Sequence, residues 1–173
     1  MGCRRDLLRR VASIYDPIGL VAPFTLKGKL LLQESNELNT DFDHPHPEDL
    51  TERIEHWQGS MEGLSQVRVA RCTSTPELEN CLTDLIVFCD ASREGYGVVA
   101  YVRRYHKGSD KAYVYFVFAK AHVVPASMHK GKLPNQEDHE DSIPRLELNA
   151  ARLAALIRDI TVRKQMRPLT AGE

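Results

Sequence analysis

The sequence has no long hydrophobic run, and no segment approaches the roughly 20 consecutive apolar residues of a membrane-spanning helix. The first ten residues, MGCRRDLLRR, include basic residues but are not followed by an apolar core of signal-peptide length. Myristoylation prefers Ser or Thr where this sequence has Asp6, so the Met-Gly start does not predict a lipid anchor. We therefore expect no membrane partner.

The sequence also has no excess charge of either sign and no metal-binding spacing of cysteine or histidine. Its 23 basic and 24 acidic residues nearly cancel, so overall charge does not predict binding to nucleic acid or to an anionic membrane. The four cysteines include no C-x-x-C pair, which favours reduced thiols and an intracellular setting. The seven histidines form neither H-E-x-x-H nor close Cys/His pairs and are interpreted as surface residues.

A chain of 173 residues with 42% hydrophobic residues can form one domain or two small ones, and helices are predicted in its first half. Leucines at helical intervals predict a helix from Leu26 to Leu38, after a loop shaped by proline and glycine. From Leu50 to Leu64, apolar residues recur at steps of four and three, which predicts a helix with one apolar stripe. Trp57 lies on this stripe and is interpreted as a core anchor, because a base-stacking role would need an exposed ring.

The second half predicts a small sheet followed by a helix. Three short runs, LIVFC, GVVAYV and YVYFVFA, are rich in β-branched and aromatic residues and are separated by turn-forming residues, which predicts an antiparallel three-stranded meander. The charged segment HKGKLPNQEDHEDS lacks periodicity and predicts an exposed, mobile loop. A helix is then predicted with Pro144 in its opening turn. Its apolar stripe comprises Leu146, Ala150, Leu153, Ile157 and Ile160.

Two acidic residues stand at the ends of these elements. Asp90 ends the most apolar strand, where neighbouring strands on both sides would bury it and make an unpaired carboxylate costly. Glu147 is expected in the first turn of the last helix, and small residues on its side, Ala151 and Ala154, would let the helix approach the sheet closely. Two converging carboxylates suit Mg²⁺. Structural explanations stay open, since Asp90 could open a turn and Glu147 could pair with the helix dipole.

The order of motifs resembles a known family. A strand, DAS, a glycine-bearing turn, two more strands and a helix carrying PRLEL resemble the ribonuclease H fold. The segments VASIYDPIGLVAPFTLKGKLLLQ, FCDASREGYGVVAYV, FAKAHVVP and IPRLELNAARLA occur in the same order in the pol polyproteins of BEL/Pao-type retrotransposons, regions also labelled Pao retrotransposon peptidase. The resemblance spans nearly the whole chain. Aspartic proteolysis is not indicated, since neither Asp-Thr-Gly nor Asp-Ser-Gly occurs.

The resemblance implies an α/β fold in two parts. Residues 1–82 are similar to the helical thumb and connection segment that follows a reverse transcriptase palm. Residues 83–173 are similar to the N-terminal part of a ribonuclease H domain, namely a three-stranded antiparallel meander plus one helix, truncated before the fourth strand. The palm would lie upstream of Met1. The remainder of the pol polyprotein is therefore an implied partner, in the cytoplasm or in virus-like particles.

The resemblance also implies roles for the two acids. Asp90 matches the family's first metal-binding aspartate and Glu147 its helix glutamate, and both would bind Mg²⁺ in a domain that cleaves RNA in RNA–DNA hybrids. The family needs a third aspartate on a fourth strand, whereas this chain stops at KQMRPLTAGE. We therefore expect an incomplete metal site and little or no nuclease activity from the chain alone. A noncatalytic nucleic-acid-binding or structural remnant is the alternative.

Clusters of basic residues are candidates for contact with nucleic-acid phosphates. A solvated basic face explains any single cluster equally well, and the resemblance favours nucleic acid because the family acts on RNA–DNA hybrids. The candidates are Arg4, Arg5, Arg9, Arg10, Lys27, Lys29, Arg103 and Arg104.

Overall fold

The computed structural model describes residues 2–69, 80–125 and 142–165. The described residues pack as two units, one formed by residues 2–69 with 121–125 and the other by residues 80–120 with 142–165. All but the last residue of the predicted loop HKGKLPNQEDHEDS lies outside the described residues. The elements in chain order are α1 (Arg4–Ala12), α2 (Ala22–Glu37), α3 (Glu48–Gly59), α4 (Met61–Leu64), β1 (Leu82–Ala91), β2 (Gly95–Tyr105), β3 (Ala112–Val123) and α5 (Ser142–Gln165).

The first unit is built around apolar side chains of α1, α2 and α3. α1 was not predicted, because its many arginines hide the one buried leucine, Leu7. α2 begins four residues before the predicted start, with Pro23 in its first turn. The loop before it is shaped by Asp16, whose two carboxylate oxygens accept hydrogen bonds from the N–H groups of Leu20 and Val21 at 2.8 and 2.9 Å. The fully buried core comprises Leu7, Leu31, Leu50, Ile54 and Trp57.

The prediction that Trp57 is a core anchor is confirmed. Its side chain is 1% exposed and stacks on Phe24 with ring centroids 5.1 Å apart. The indole N–H donates a hydrogen bond to the Phe24 carbonyl oxygen at 3.1 Å, which satisfies the one polar group of a buried indole. The prediction of one continuous helix through Leu64 is wrong, because the segment forms two helices, α3 and α4. α3 ends at Gly59, where the Ser60 hydroxyl donates to the Trp57 carbonyl at 2.7 Å.

Gly28 explains how α2 approaches the indole so closely. A Cβ added there would lie 2.8 and 2.9 Å from two ring atoms of Trp57, closer than real contacts allow. We expect Gly28→Ala to destabilise the first unit by about 1–3 kcal/mol, the usual cost of overpacking, despite alanine's better helix propensity. Gly59→Ala is the matched control, because an added Cβ there meets nothing within 4 Å. Urea denaturation measures both, and equal stability of the two variants would contradict this packing.

The second unit contains the sheet and α5. The sheet has the strand order β1-β2-β3, which confirms the predicted meander. β1 and β2 pair antiparallel with Val87 opposite Ala100 and Asp90 opposite Gly97. The buried core of the second unit consists of Val98, Ala100 and Ile157. The side chains packed against this core include those of Leu85, Val87, Leu153 and Ala154. α5 therefore lies on one face of β1 and β2.

The apolar stripe of α5 is shorter than predicted. Leu146, Ala150 and Ile157 are buried, but Ile160 is 45% exposed, so the prediction fails at its last position. The reason is that a straight helix crossing a twisted three-stranded sheet keeps contact over only part of its length. No helix among the described residues is both long enough and apolar enough to cross a membrane. The predicted α/β architecture, a helical segment followed by a three-stranded antiparallel meander and one helix, is confirmed.

Candidate metal site and basic residues

Asp90 is the next-to-last residue of β1, and its side chain is exposed. The expectation that neighbours on both sides bury this position is wrong, because β1 is an edge strand of the described sheet and pairs with β2 alone. Its partner in the register is Gly97, which has no side chain to cover the carboxylate. Asp90 makes no side-chain hydrogen bond or ion pair with any residue that the structure describes.

The turn after β1 is closed by Ser92 rather than by Asp90. The Ser92 backbone N–H and hydroxyl both donate to the Gly95 carbonyl, at 2.8 and 3.1 Å. The same hydroxyl accepts from the backbone N–H groups of Glu94 and Gly95, at 3.3 and 3.2 Å. A serine hydroxyl thus performs the local capping that is typical of turn-forming side chains. The turn does not need the Asp90 carboxylate, which leaves that carboxylate available to a cation.

Glu147 lies in the second turn of α5. The prediction that it occupies the first turn is wrong, because the helix already begins at Ser142 and its first turn contains no acidic residue. This position weakens the alternative role as a partner of the helix dipole, whose effect falls off within the first turn. The side chain is exposed, although Leu146 beside it is 2% exposed. Glu147 therefore flanks the buried stripe and forms no hydrogen bond or ion pair with a described residue.

The fold packs α5 against β1, so the elements that carry the two acids are neighbours, but Asp90 does not lie on the face of β1 that α5 covers. α5 packs on the face of the sheet that includes Leu85 and Val87. Because side chains alternate along a strand, Asp90 points to the opposite face. A shared ion would have to sit around the edge or end of the sheet rather than between helix and sheet. The described residues contain no group of three or more His, Cys, Asp or Glu side chains able to hold a metal.

Exposed carboxylates still fit the chemistry of magnesium, which takes oxygen ligands and keeps several waters when few protein ligands are present. Gly97 opposite Asp90 leaves space for that water shell. Asp90 and Glu147 remain the predicted ligands of such a site, whereas the contributions of Gly97 and Ser92 to the surroundings of Asp90 were not predicted. The sequence signal for Ser92 and Gly97 lies in the spacer SREGYG. Its serine precedes the turn, and its two glycines are the first and third residues of β2.

Five of the candidate basic residues have interactions within the protein, and the partners of three of them are as follows. Arg4 donates to the Ser35 carbonyl at 2.7 Å, and Arg5 forms a bidentate pair with Asp43 at 2.6 and 2.9 Å. The Asp43 hydrogen bond raises the pKa of Arg5, and the same bond lowers the pKa of Asp43. In the second unit, Arg103 binds Asp84 at 2.6 Å. Its guanidinium also lies 4.7 Å from the ring centre of Tyr105.

The remaining basic candidates differ in how accessible their side chains are to a nucleic-acid phosphate. Arg9, Lys27 and Lys29 are exposed, and their side chains make no hydrogen bond or ion pair with the described residues. Arg10 and Arg104 have intramolecular interactions. Lys29 lines an open groove of about 440 Å³ beside α2, where Glu37 supplies an opposing charge. Arg9, Lys27 and Lys29 are thus the candidate cations best able to contact a phosphate.

Comparison with protein families matches residues 3–170 to the Pao retrotransposon-like RNaseH-like domain. The match covers both units and both sides of the predicted boundary at residue 82. A search of curated proteins finds no match. Because the matched region includes almost the whole sequence, the chain belongs to the Pao retrotransposon-like RNaseH-like domain family and represents a segment of a retrotransposon polyprotein.

Proposed function

We propose that the chain supplies two acidic ligands, Asp90 and Glu147, of a magnesium-dependent ribonuclease H site whose complete form cleaves RNA in RNA–DNA hybrids. The observation that supports this role is the Asp90 carboxylate. It is exposed at the end of a strand and lacks a described partner, while Ser92 closes the adjacent turn. The family match to an RNaseH-like domain supplies the chemical context.

The two carboxylates would bind and orient hard cations. Magnesium held by Asp90 and Glu147 would supply an activated water and would stabilise the leaving oxygen of a phosphodiester. Asp90, as the strand ligand, is held by its backbone pairing opposite Gly97, while Glu147 is held by a helix whose neighbouring residue Leu146 is buried. Two ligands on rigid elements keep the geometry of the site fixed. A third carboxylate is still required, and no described residue completes the group.

We further propose that the first unit and its basic residues serve the parent polyprotein, which would combine reverse transcription with hybrid cleavage. Residues 1–82 would act as the connection segment beside the duplex. Arg9, Lys27 and Lys29 would contact phosphates, since their side chains are exposed and make no hydrogen bond or ion pair with described residues. The partners would be an RNA–DNA hybrid and the rest of the pol polyprotein, in the cytoplasm or in virus-like particles.

The purified chain is expected to show little or no cleavage of a labelled RNA–DNA hybrid in the presence of Mg²⁺, because no described carboxylate completes the site with Asp90 and Glu147. Gel analysis of the hybrid, with the same RNA in an RNA duplex as control, measures this. Hybrid-specific cleavage that disappears in Asp90→Asn would overturn the expected inactivity while supporting Asp90 as a ligand. Cleavage that persists in Asp90→Asn would argue against the assigned site.

A noncatalytic nucleic-acid-binding role is the second candidate, and the exposed Lys27 and Lys29 favour it. Hybrid binding would then weaken with salt, and the slope of log K against log salt would fall by about 0.9 for each phosphate contact removed. Lys27→Gln and Lys29→Gln test this by fluorescence anisotropy. Binding that is unchanged in Asp90→Asn and is not strengthened by Mg²⁺ would support this role over the metal-dependent one.

A further inference from the structure

The N-terminal residues of the first unit are joined to the connector between α2 and α3. The His46 backbone N–H donates to the Gly2 carbonyl at 2.6 Å, and the Arg5 N–H donates to the Phe42 carbonyl at 3.2 Å. Between these bonds, Cys3 and Pro45 form an antiparallel bridge. Residues 2–5 together with residues 42–46 are called the N-terminal clasp below. The Arg5–Asp43 ion pair on its surface is exposed and adds little stability.

Two clasp residues, Arg4 and His46, contact the same residue of α2, Ser35, which is 1% exposed. The Arg4 guanidinium donates to the Ser35 carbonyl oxygen at 2.7 Å. The Ser35 hydroxyl oxygen lies 2.7 Å from Nε2 of His46. Residues 2–5 and residues 42–46 thus each contribute one contact with the same serine, so losing either contact loosens the attachment of both segments.

The second ring nitrogen of His46, Nδ1, does not take part in the contact with Ser35. Nδ1 is buried and has no hydrogen-bond partner among the described residues, and the same holds for Nε of Arg4. A neutral imidazole carries one N–H, which Ser35 can accept at Nε2, whereas an imidazolium carries two. Protonation would therefore bury an unpaired, charged N–H next to the Arg4 guanidinium, an arrangement with a high desolvation cost.

We propose that the N-terminal clasp is a pH-sensitive element in which protonation of His46 releases residues 2–5 and 42–46 from α2. The clasp is closed when His46 is neutral and opens when the medium becomes acidic. Release would free the N-terminal residues, while the apolar core around Trp57 stays packed because His46 is not part of it.

The charged groups that face His46 come from α1. Burial lowers the pKa of His46 most, the positive charge of Arg4 lowers it further, and Asp6 opposes both by raising it. α2 contributes the uncharged hydroxyl of Ser35. In the open state His46 is expected to titrate near its ordinary pKa of 6.5. Because the pKa is lower in the closed state, clasp stability is complete above that value and is lost as the pH falls below it.

Amide hydrogen exchange of the full chain tests the proposal. The His46 and Arg5 amides, corrected for intrinsic exchange, should lose up to about tenfold of protection for each pH unit below about pH 6.5. The Thr51 amide, which donates to the Pro47 carbonyl in α3, should keep its protection over the same range. His46→Gln should remove the pH dependence of the clasp amides. His44→Gln, at an exposed neighbouring histidine, should leave it unchanged.

Unchanged protection of the clasp amides down to about pH 5, or the same pH dependence in His46→Gln as in the natural sequence, would overturn the proposal. NMR titration of the His46 ring in the natural sequence is the second measurement, and it does not require a variant to fold. A pKa at or above the ordinary value would also overturn it. A lowered pKa with matching changes in the Gly2 and Arg5 resonances supports it.

Discussion

Trp57→Ala is expected to destabilise the first unit by about 3–5 kcal/mol, the usual range for removing a buried tryptophan. This loss is a large share of the roughly 5–15 kcal/mol that stabilises an ordinary domain, so the urea midpoint of the variant should fall markedly. The reason is that the indole is 1% exposed, stacks on Phe24 and lies against Gly28. Circular dichroism during urea denaturation measures the change without relying on the lost fluorophore.

Two further variants test whether the destabilisation by Trp57→Ala comes from the loss of the buried indole. His56→Ala removes an exposed neighbour on the same helix and should change stability by no more than about 0.5 kcal/mol. Trp57→Phe should have an intermediate effect, because it keeps an aromatic ring beside Phe24 but leaves the Phe24 carbonyl without its indole donor. Equal unfolding midpoints for Trp57→Ala and His56→Ala would show that the described core is wrong.

Ile157→Ala is expected to destabilise the second unit by about 2–5 kcal/mol. The side chain is 6% exposed and packs with Val98 and Ala100, so its loss leaves a cavity between α5 and the sheet. Leu156→Ala is the matched control, since the adjacent side chain is 57% exposed and should contribute within about 0.5 kcal/mol. Urea denaturation, with hydrogen exchange of the β2 amides as the observable, measures the effect in this unit. A larger loss for Leu156→Ala would mean that α5 presents a different face to the sheet.

The sequence predicted those elements whose apolar pattern is strong. The strands, α2, the Trp57 helix and α5 were found from periodicity, because one buried face in each element imposes that pattern. α1 was missed since a single buried leucine among five arginine and aspartate side chains produces no stripe. The end of α3 was missed for a different reason. The Ser60 hydroxyl bonds to the Trp57 carbonyl, an interaction that hydrophobic patterning does not detect.

The candidate site was predicted less completely than the fold. The identity of Asp90 and Glu147 followed from the motifs, whereas their surroundings depended on strand order and on the start of α5. A pattern of residues does not determine that β1 lies at the edge of the described sheet, or that Asp90 faces away from α5. The arginines show the same limit. Arg4, Arg5 and Arg103 formed basic clusters in the sequence, but tertiary contacts with Ser35, Asp43 and Asp84 engage all three.

NMR of the ¹⁵N-labelled chain with Mn²⁺ in place of Mg²⁺ tests most directly whether Asp90 and Glu147 share one divalent cation. We expect the amide signals of residues 90 and 147 to broaden together during the titration, excess Mg²⁺ to reverse the effect, and Asp90→Asn to abolish it at both positions. Asp84→Asn, which removes a carboxylate of β1 that is bound to Arg103, is the control and should leave the broadening intact. Broadening at only one of the two positions, or at both in Asp90→Asn, would contradict a shared ion.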